Sequence, residues 1–279
     1  MDDRFLEGYS LLKIPVIENG EPAWPEKWPI EAIEKLRRAV GEARFSAQMM
    51  LEPTDLNTGH FKAEDLKYYA DELRCEENNR ILNFSLGGAK ITGYSAWWDP
   101  SGAGYGGDHS VAAIVFKGAG GERYIHDVEY ISAREGEKIG GRSQCARIID
   151  FLRRNMADTI YIETNGLGAL LPEMLGAEAA RQGFAINLRP RHSRTPKALR
   201  IQGAFAAGLA AGMIMASERV RNSQFMAEFI EWRPDSRGHD DGMDAAAGAL
   251  SSEPTQLPKT TLWRRTGARG RIFRIRKEA

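Results

Sequence analysis

Residues 93–116 read GYSAWWDPSGAGYGGDHSVAAIVF, two apolar runs separated by a glycine-rich turn. Apolar runs joined in this way are typical of two adjacent antiparallel strands. Asp99 ends the first run, and Asp108 lies in the turn. Because a strand end is held by rigid backbone, Asp99 is a candidate for acid chemistry. That chemistry needs further carboxylates that converge on the same place.

Two other stretches supply such carboxylates. Residues 159–168 read TIYIETNGLG, an alternating strand pattern that ends at Glu163 before a glycine turn. Residues 238–250 read GHDDGMDAAAGAL, which predicts a helix that starts with acids and continues with small residues. Asp241 and Asp244 are three positions apart and therefore share one face of that helix. The small residues after them should let the helix lie close to the sheet.

The composition narrows the possible classes of protein. The chain has 279 residues, 42% of them apolar, which is enough for one large domain or one domain with an appendage. Lys plus Arg and Asp plus Glu both total 38, so net charge does not indicate a nucleic-acid partner. Cys75 and Cys145 lack metal-ligand spacing and fit a reducing compartment. Without a long apolar run or an apolar signal core, we expect a cytoplasmic protein with no membrane association.

Three regions are predicted along the chain. Residues 1–83 form a linker or remnant with a helix starting at Pro29 or Ile30 and another from Ala63 to Glu72. Its expected anchors are aromatic: Trp24, Trp28, Phe45 and Phe61. Residues 84–253 form one domain. Residues 254–279 hold eight Lys or Arg against one acid, which predicts a flexible basic tail.

The domain alternates strand and helix patterns. The predicted strands are Tyr94–Asp99, Ser110–Lys117, Arg123–Ser132, Thr159–Glu163 and Ala185–Arg189. The predicted helices are about Lys138–Asn155, Leu167–Gln182, Lys197–Ala211, Val220–Ile230 and Asp241–Leu250. This order is that of a ribonuclease-H-like mixed sheet of the α/β class, with an antiparallel three-strand meander, further parallel strands and helices on both faces. Trp97 and Trp98 are expected to pack in its core.

The three acidic stretches fit metal-dependent phosphodiester hydrolysis. That chemistry needs oxygen ligands for two divalent ions, one activating water and one stabilising the leaving oxygen. Each stretch also has a structural interpretation: Asp99 as part of a turn, Glu163 as a solvated strand end, and Asp240 as a helix N-cap. The occurrence of all three, in the order that this architecture needs, favours a metal site.

Together, WDPSGAGYGGDHS, YIETNGLGALLP and HDDGMDAAAGAL resemble the nuclease domain of the large terminase subunit of tailed bacteriophages. In that family the enzyme cuts concatemeric DNA during genome packaging. Residues 24–62 resemble the segment that closes the family's ATPase motor and leads into the nuclease, so the resemblance spans about Trp24 to Ser252. It implies a ribonuclease-H-like endonuclease that uses two Mg²⁺ or Mn²⁺ ions. The implied partners are double-stranded DNA, the terminase motor, the small subunit and the portal.

The resemblance also implies site residues. The positions that match the family's metal ligands are Asp99, Glu163 and an acid of the helix start, with Asp241 and Asp244 ahead of Asp240. Asp108 lies where some members carry an auxiliary acid. The chain departs from the family in having no GxxxxGK[ST] phosphate loop. We therefore expect that it binds no nucleotide and that its cleavage of DNA does not need ATP.

A run of basic residues without any acid should complement the acidic site. It contains Arg189, Arg191, Arg194, Lys197 and Arg200. We expect these residues to contact DNA phosphates, and the alternative is a solvated loop. Two other functions remain open. One is another ribonuclease-H-like nuclease, such as a junction resolvase or a nuclease for RNA/DNA hybrids. The other is a non-catalytic packaging or assembly module.

Overall fold

A computed structural model of the chain describes residues 12–40, 45–46, 48–51, 61–100, 110–131, 141–165, 170–234 and 239–259. Asp108 and the basic tail after Lys259 lie outside the described residues. The strands are β1 Ile17–Glu18, β2 Glu21–Pro22, β3 Lys67–Tyr69, β4 Arg74–Asn78, β5 Ile81–Leu86, β6 Ala89–Asp99, β7 Ser110–Gly118, β8 Arg123–Ile131, β9 Thr159–Glu163, β10 Asn187–Arg191, β11 Ile214–Ser217 and β12 Thr255–Gln256. The helices are α1 Ile30–Val40, α2 Gly141–Arg154, α3 Leu171–Arg181, α4 Lys197–Ala210, α5 Glu218–Arg221, α6 Gln224–Glu231 and α7 Asp241–Ser251, and Ala63–Asp65 forms a 3₁₀ turn.

One mixed sheet organises the described part of the chain. Its strand order is β10-β9-β6-β7-β8-β11-β3, with β5 and β12 also paired to β6 and β4 paired to β5. Strands β6, β7 and β8 form an antiparallel meander. Strands β9 and β10 extend the sheet in parallel on one side, as β11 and β3 do on the other. The predicted α/β, ribonuclease-H-like fold class is therefore confirmed.

Side chains alternate between the two faces of this sheet, and each face is covered by helices. Trp98 is fully buried in the cluster that includes residues of α2 and α3. Trp97 belongs to the other cluster, which includes residues of α4, α6 and α7. Both tryptophans are buried, as predicted, and the burial of both faces accounts for the nearly continuous apolar sequence of β6, β7 and β9.

Helix α7 packs very closely on the sheet. A Cβ atom added at Gly248 would lie 2.4 Å from the Trp97 ring, so only glycine fits this contact. Ala245, Ala246 and Ala247 are buried beside it. The prediction that small residues let this helix approach the sheet is confirmed. The approach brings the first turn of α7 to the edge where β6 and β9 end.

The prediction of a helix from Ala63 to Glu72 is wrong. The helical segment is a single 3₁₀ turn, in which the Asp65 carboxylate accepts a hydrogen bond from the Lys62 backbone N–H at 2.8 Å. Lys67–Tyr69 then pairs in parallel with β11. This pairing joins residues far apart in sequence, so local helical spacing did not indicate it. Strands β3 and β4, within the predicted leader, belong to the same sheet as the meander.

Smaller differences occur elsewhere. Strand β11 was not predicted, because a four-residue apolar segment carries no clear period. The predicted helix Val220–Ile230 is two helices, α5 and α6, that flank Asn222 and Ser223. Of the predicted leader anchors, Phe45 and Phe61 are buried, but Trp24 is 56% exposed and Trp28 36% exposed. Phe61 stacks on Trp232 with ring centroids 5.1 Å apart, so it ties this region to the end of α6.

Candidate active site

Three carboxylates converge at one edge of the sheet. Asp99 ends β6, Glu163 ends β9, and Asp244 lies in the first turn of α7. Each offers one oxygen, and these oxygens lie within 4.8 Å of one another. Strands β6 and β9 are parallel, so their last residues meet at the same edge. The alternation of strand side chains places Asp99 and Glu163 on the face that α7 covers.

The other two acids at the start of α7 have a different environment. The Lys197 ammonium lies 2.6 Å from an Asp240 oxygen and 2.8 Å from an Asp241 oxygen. Asp241 is nevertheless buried. Among the three acids that the sequence left open, the structure thus brings Asp244 to Asp99 and Glu163, and pairs Asp240 and Asp241 with Lys197.

Arg200 connects two members of the cluster. Its guanidinium donates to Glu163 at 3.1 Å and also contacts the Asp244 carboxylate. Lys197 and Arg200 lie one turn apart on α4, which explains why both reach the same site. Sequence reasoning grouped them with a DNA-contacting rim, whereas here both are bonded to acids of the site.

Burial and mutual repulsion dominate the electrostatics of the cluster. Burial, then the charges of Asp244 and Glu163, raise the pKa of Asp99 to about 8. Burial raises the pKa of Asp244 to about 6, although Arg200 and Lys197 oppose the shift. Burial alone would lower the pKa of Lys197, but Asp241 and Asp240 hold it well above its ordinary value. A divalent cation would relieve the repulsion among these carboxylates, and oxygen ligands suit Mg²⁺ and Mn²⁺.

Sequence reasoning missed two polar residues next to this site, one bonded to Glu163 and one to the start of α7. The Asn165 side-chain amide donates to Glu163 at 2.7 Å and to the Ser193 carbonyl at 3.3 Å, which links the end of β9 to the segment after β10. Its position two residues after the strand-end acid was the available signal. Glu228, on α6, accepts hydrogen bonds from the backbone N–H groups of Gly242 and Met243. No local pattern around Glu228 pointed to the acidic helix.

Three of the predicted basic residues form a row on β10 and just after it. Arg189 and Arg191 place their guanidinium carbons 5.3 and 5.2 Å from the centroid of the Tyr161 ring. Arg189 also donates to the Tyr161 hydroxyl at 2.8 Å. Arg191 pairs in register with Glu163, and Arg194 is exposed a few residues later. This row, Arg189, Arg191 and Arg194, lies beside the acidic cluster.

The topology and the acid cluster together define an α/β protein of the ribonuclease-H-like class. A sequence profile described as "Terminase RNaseH-like domain" matches residues 96–253, which include all three converging carboxylates. The chain belongs to this family of terminase RNaseH-like domains. No curated protein sequence matches the chain.

Several solved structures resemble the fold at low sequence identity. The nuclease domain of the large terminase subunit gp2 of bacterial virus Sf6 is 11% identical, with a TM-score of 0.42 over 58% of this chain and 89% of that one. The yeast mitochondrial Holliday junction resolvase Ydc2 is 13% identical, with a TM-score of 0.37 over 57% and 76%. RuvC of T. thermophilus, in complex with a Holliday junction substrate, is 14% identical, with a TM-score of 0.34 over 59% and 99%. Separately, no helix among the described residues is long and apolar enough to cross a membrane.

Proposed function

We propose that this chain is a divalent-metal-dependent DNA endonuclease that cuts concatemeric phage DNA during genome packaging. Membership of the terminase RNaseH-like family supports the nuclease class. The single observation that carries the proposal is the convergence of Asp99, Glu163 and Asp244, with one oxygen from each within 4.8 Å of the others. Asp241 and Asp240 stand next to them as further candidate ligands, whereas Asp108 lies outside the described residues.

In this proposal Asp99, Glu163 and Asp244 hold two Mg²⁺ or Mn²⁺ ions. When bound, such ions supply an activated water and charge stabilisation for the leaving oxygen. Asn165 and Arg200 orient the Glu163 carboxylate through their hydrogen bonds to it. Lys197 pairs with Asp240 and Asp241, so that these two further acids can lie beside the cluster at the start of α7.

The substrate in this proposal is double-stranded DNA. The row of Arg189, Arg191 and Arg194 supplies positive charge next to the acids, and phosphate contacts of this kind bind duplex DNA without reading its sequence. Arg189 and Arg191 are held over Tyr161, which reduces the freedom that they would lose on binding DNA. The terminase motor, the small subunit and the portal are the protein partners proposed with this function, in the host cytoplasm.

The test is cleavage of plasmid DNA with Mg²⁺ or Mn²⁺ and with a chelator. We expect metal-dependent cleavage that Asp99→Asn, Glu163→Gln and Asp244→Asn each reduce at least 100-fold, because each change removes an anionic ligand. Asp150→Asn is the matched control, since the Asp150 side chain is 69% exposed on α2, on the other face of the sheet. Near-normal cleavage by any one of the three site variants would refute its assignment as a ligand.

The same assay separates the alternatives. A strong preference for a four-way junction over linear duplex would indicate a resolvase instead. A folded protein that neither binds Mn²⁺ nor cuts any of these substrates would indicate a non-catalytic assembly module.

A further inference from the structure

Glu228 is a buried carboxylate on α6 with an unusual set of partners. One oxygen accepts hydrogen bonds from the Gly242 N–H at 2.8 Å and the Met243 N–H at 3.3 Å. The other oxygen accepts from the Gln224 side-chain amide at 3.1 Å. Within the described part of the chain, no Lys or Arg forms an ion pair with Glu228. The Tyr130 hydroxyl also hydrogen-bonds to this carboxyl group. One oxygen of the buried group therefore serves the start of another helix.

The start of α7 needs such an acceptor. The first N–H groups of a helix have no partner within the helix, and a side chain at the N-cap usually accepts from one of them. Asp240 occupies the N-cap position of α7, but its side chain makes no capping hydrogen bond and pairs with Lys197 instead. Glu228 supplies the missing acceptor from a separate helix.

The backbone at the start of α7 also packs closely against Glu228. A Cβ atom added at Gly242 would lie 1.9 Å from the Tyr130 hydroxyl oxygen and 2.8 Å from a Glu228 carboxylate oxygen. The backbone at Gly242 thus packs directly against these two side chains. Asp241 precedes Gly242 and Asp244 follows two residues later, so a displacement of this turn would move both acids.

We propose that Glu228 is a positioning residue that caps α7 from outside the helix and holds Asp244 opposite Asp99 and Glu163. The metal-binding part of this inference rests on the proposed function, whereas the capping part does not. Glu228 does not enter the acid cluster itself, since the cluster found among the described residues consists of Asp99, Glu163 and Asp244. Its effect on metal binding would be indirect, in the way that outer hydrogen-bond partners orient metal ligands.

The test compares Glu228→Leu with Glu178→Leu in the full chain. Glu178 is the matched control, because it is also buried and hydrogen-bonded but packs with Arg181 and Arg142 on the other face of the sheet. Amide hydrogen exchange is measured without metal at Gly242 and Met243, and Mn²⁺ binding is measured by titration. We expect Glu228→Leu to speed exchange of these two amides at least tenfold and to raise the Mn²⁺ dissociation constant about 10- to 100-fold.

Glu228→Gln keeps the shape and one acceptor oxygen, and we expect it to restore part of the protection and part of the Mn²⁺ affinity. A folded Glu228→Leu protein with both quantities within twofold of wild type would overturn the proposal, as would equal effects in Glu178→Leu. If Glu228→Leu does not fold, Glu228→Met and Glu178→Met are compared by the same two measurements, because methionine matches glutamate in length and supplies no oxygen acceptor. Wild-type values of both quantities in a folded Glu228→Met protein would then refute the proposal.

The two readouts distinguish the two proposals. If wild-type protein binds no Mn²⁺ and cuts no DNA, the proposed function fails, and hydrogen exchange alone still decides whether Glu228 caps α7. If wild-type protein binds Mn²⁺ and Glu228→Leu changes neither readout, only the positioning role fails.

Discussion

Arg200 neutralises part of the charge that a divalent ion would also neutralise, because its guanidinium contacts both Glu163 and Asp244. Burial alone would lower the pKa of Arg200, and these two carboxylates raise it above its ordinary value. Removing one partner of a largely buried ion pair leaves the other charges without compensation. The residue therefore stabilises the acid cluster in the absence of metal.

We predict that Arg200→Leu destabilises the protein in chelator by about 1–3 kcal/mol, less than for a fully buried pair. The destabilisation is smaller than for a fully buried pair because the Arg200 side chain is 20% exposed. Mn²⁺ should raise the melting temperature of Arg200→Leu more than that of wild type, because ion binding replaces the lost cation. Thermal unfolding with and without Mn²⁺ measures both effects. The control is Arg181→Leu, which breaks an ion pair with Glu178; an equal response to Mn²⁺ in both variants would contradict the prediction.

His126 makes the stability of the folded protein depend on pH. It sits where the register between β7 and β8 shifts, its Nδ1 lies 2.9 Å from the Tyr69 hydroxyl, and it is 3% exposed. Burial is the largest effect and lowers the pKa of His126. Among the neighbouring charges, Glu72 and Asp127 raise this pKa and Arg219 lowers it. The folded state therefore binds a proton on His126 less readily than the unfolded state does.

It follows that the stability contributed by neutral His126 is present above the unfolded pKa of 6.5 and is lost as pH falls through the lower folded pKa. We predict that wild-type protein loses more stability between pH 7.5 and 5.5 than His126→Gln does. Urea unfolding at the two pH values measures the difference. His192→Gln, at an exposed position, should behave like wild type, and a similar pH dependence in His126→Gln would refute the prediction.

Helix α7 is the element on which the site depends most, because it carries Asp244 and makes close contacts at its first turn and at Gly248. Glu228 holds its first turn, and Gly248 permits its contact with Trp97 further along. The contact between Gly248 and Trp97 leaves no space for a methyl group.

We predict that Gly248→Ala lowers the free energy of unfolding by about 1–3 kcal/mol, because the methyl group would overlap the Trp97 ring or push the helix away. Gly203→Ala on α4 is the control, since a Cβ atom at Gly203 meets nothing within 4 Å. That change should raise the free energy of unfolding by about 0.5–1 kcal/mol, because alanine favours the helical conformation more than glycine does. Denaturant unfolding of both variants is the measurement, and a Gly248→Ala protein as stable as wild type would contradict the packing argument.

The same elements show what sequence could and could not predict. Strand β9 was predicted to the residue, because its alternation and the following glycine turn are local signals. Asp99 and Glu163 could be placed at one edge from strand polarity alone. The sequence could not predict which of Asp240, Asp241 and Asp244 lies beside Asp99 and Glu163. That depends on which acids Lys197 reaches from α4. Glu228 was also missed, because its backbone partners Gly242 and Met243 lie 14 and 15 residues away in sequence.

At the scale of the whole molecule, charge is distributed unevenly although its formal sum is zero. The acids converge at the edge where β6 and β9 end, and the row of Arg189, Arg191 and Arg194 lies beside them on β10 and just after it. Under the proposed function, this arrangement would let DNA phosphates meet positive charge while the bond to be cut faces Asp99, Glu163 and Asp244.

We predict that the double variant Arg191→Gln/Arg194→Gln weakens duplex binding equally for all sequences. The log-log dependence of affinity on salt should become shallower by about 0.9 for each lost phosphate contact. Binding of labelled duplex across a salt series gives this slope. Arg142→Gln/Arg153→Gln on α2, on the other face of the sheet, removes the same charge and should leave the slope unchanged. Equal slopes for the two double variants would place the DNA elsewhere.

The contact between Trp97 and Gly248 also constrains how the family can vary. A larger residue at 248 requires a smaller one at 97, because the two share a single volume between β6 and α7. Either change made first passes through an ancestor with an overpacked or hollow packing contact next to the acid cluster. Divergence should therefore change the two positions together or neither, and lineages that retain the indole should retain the glycine.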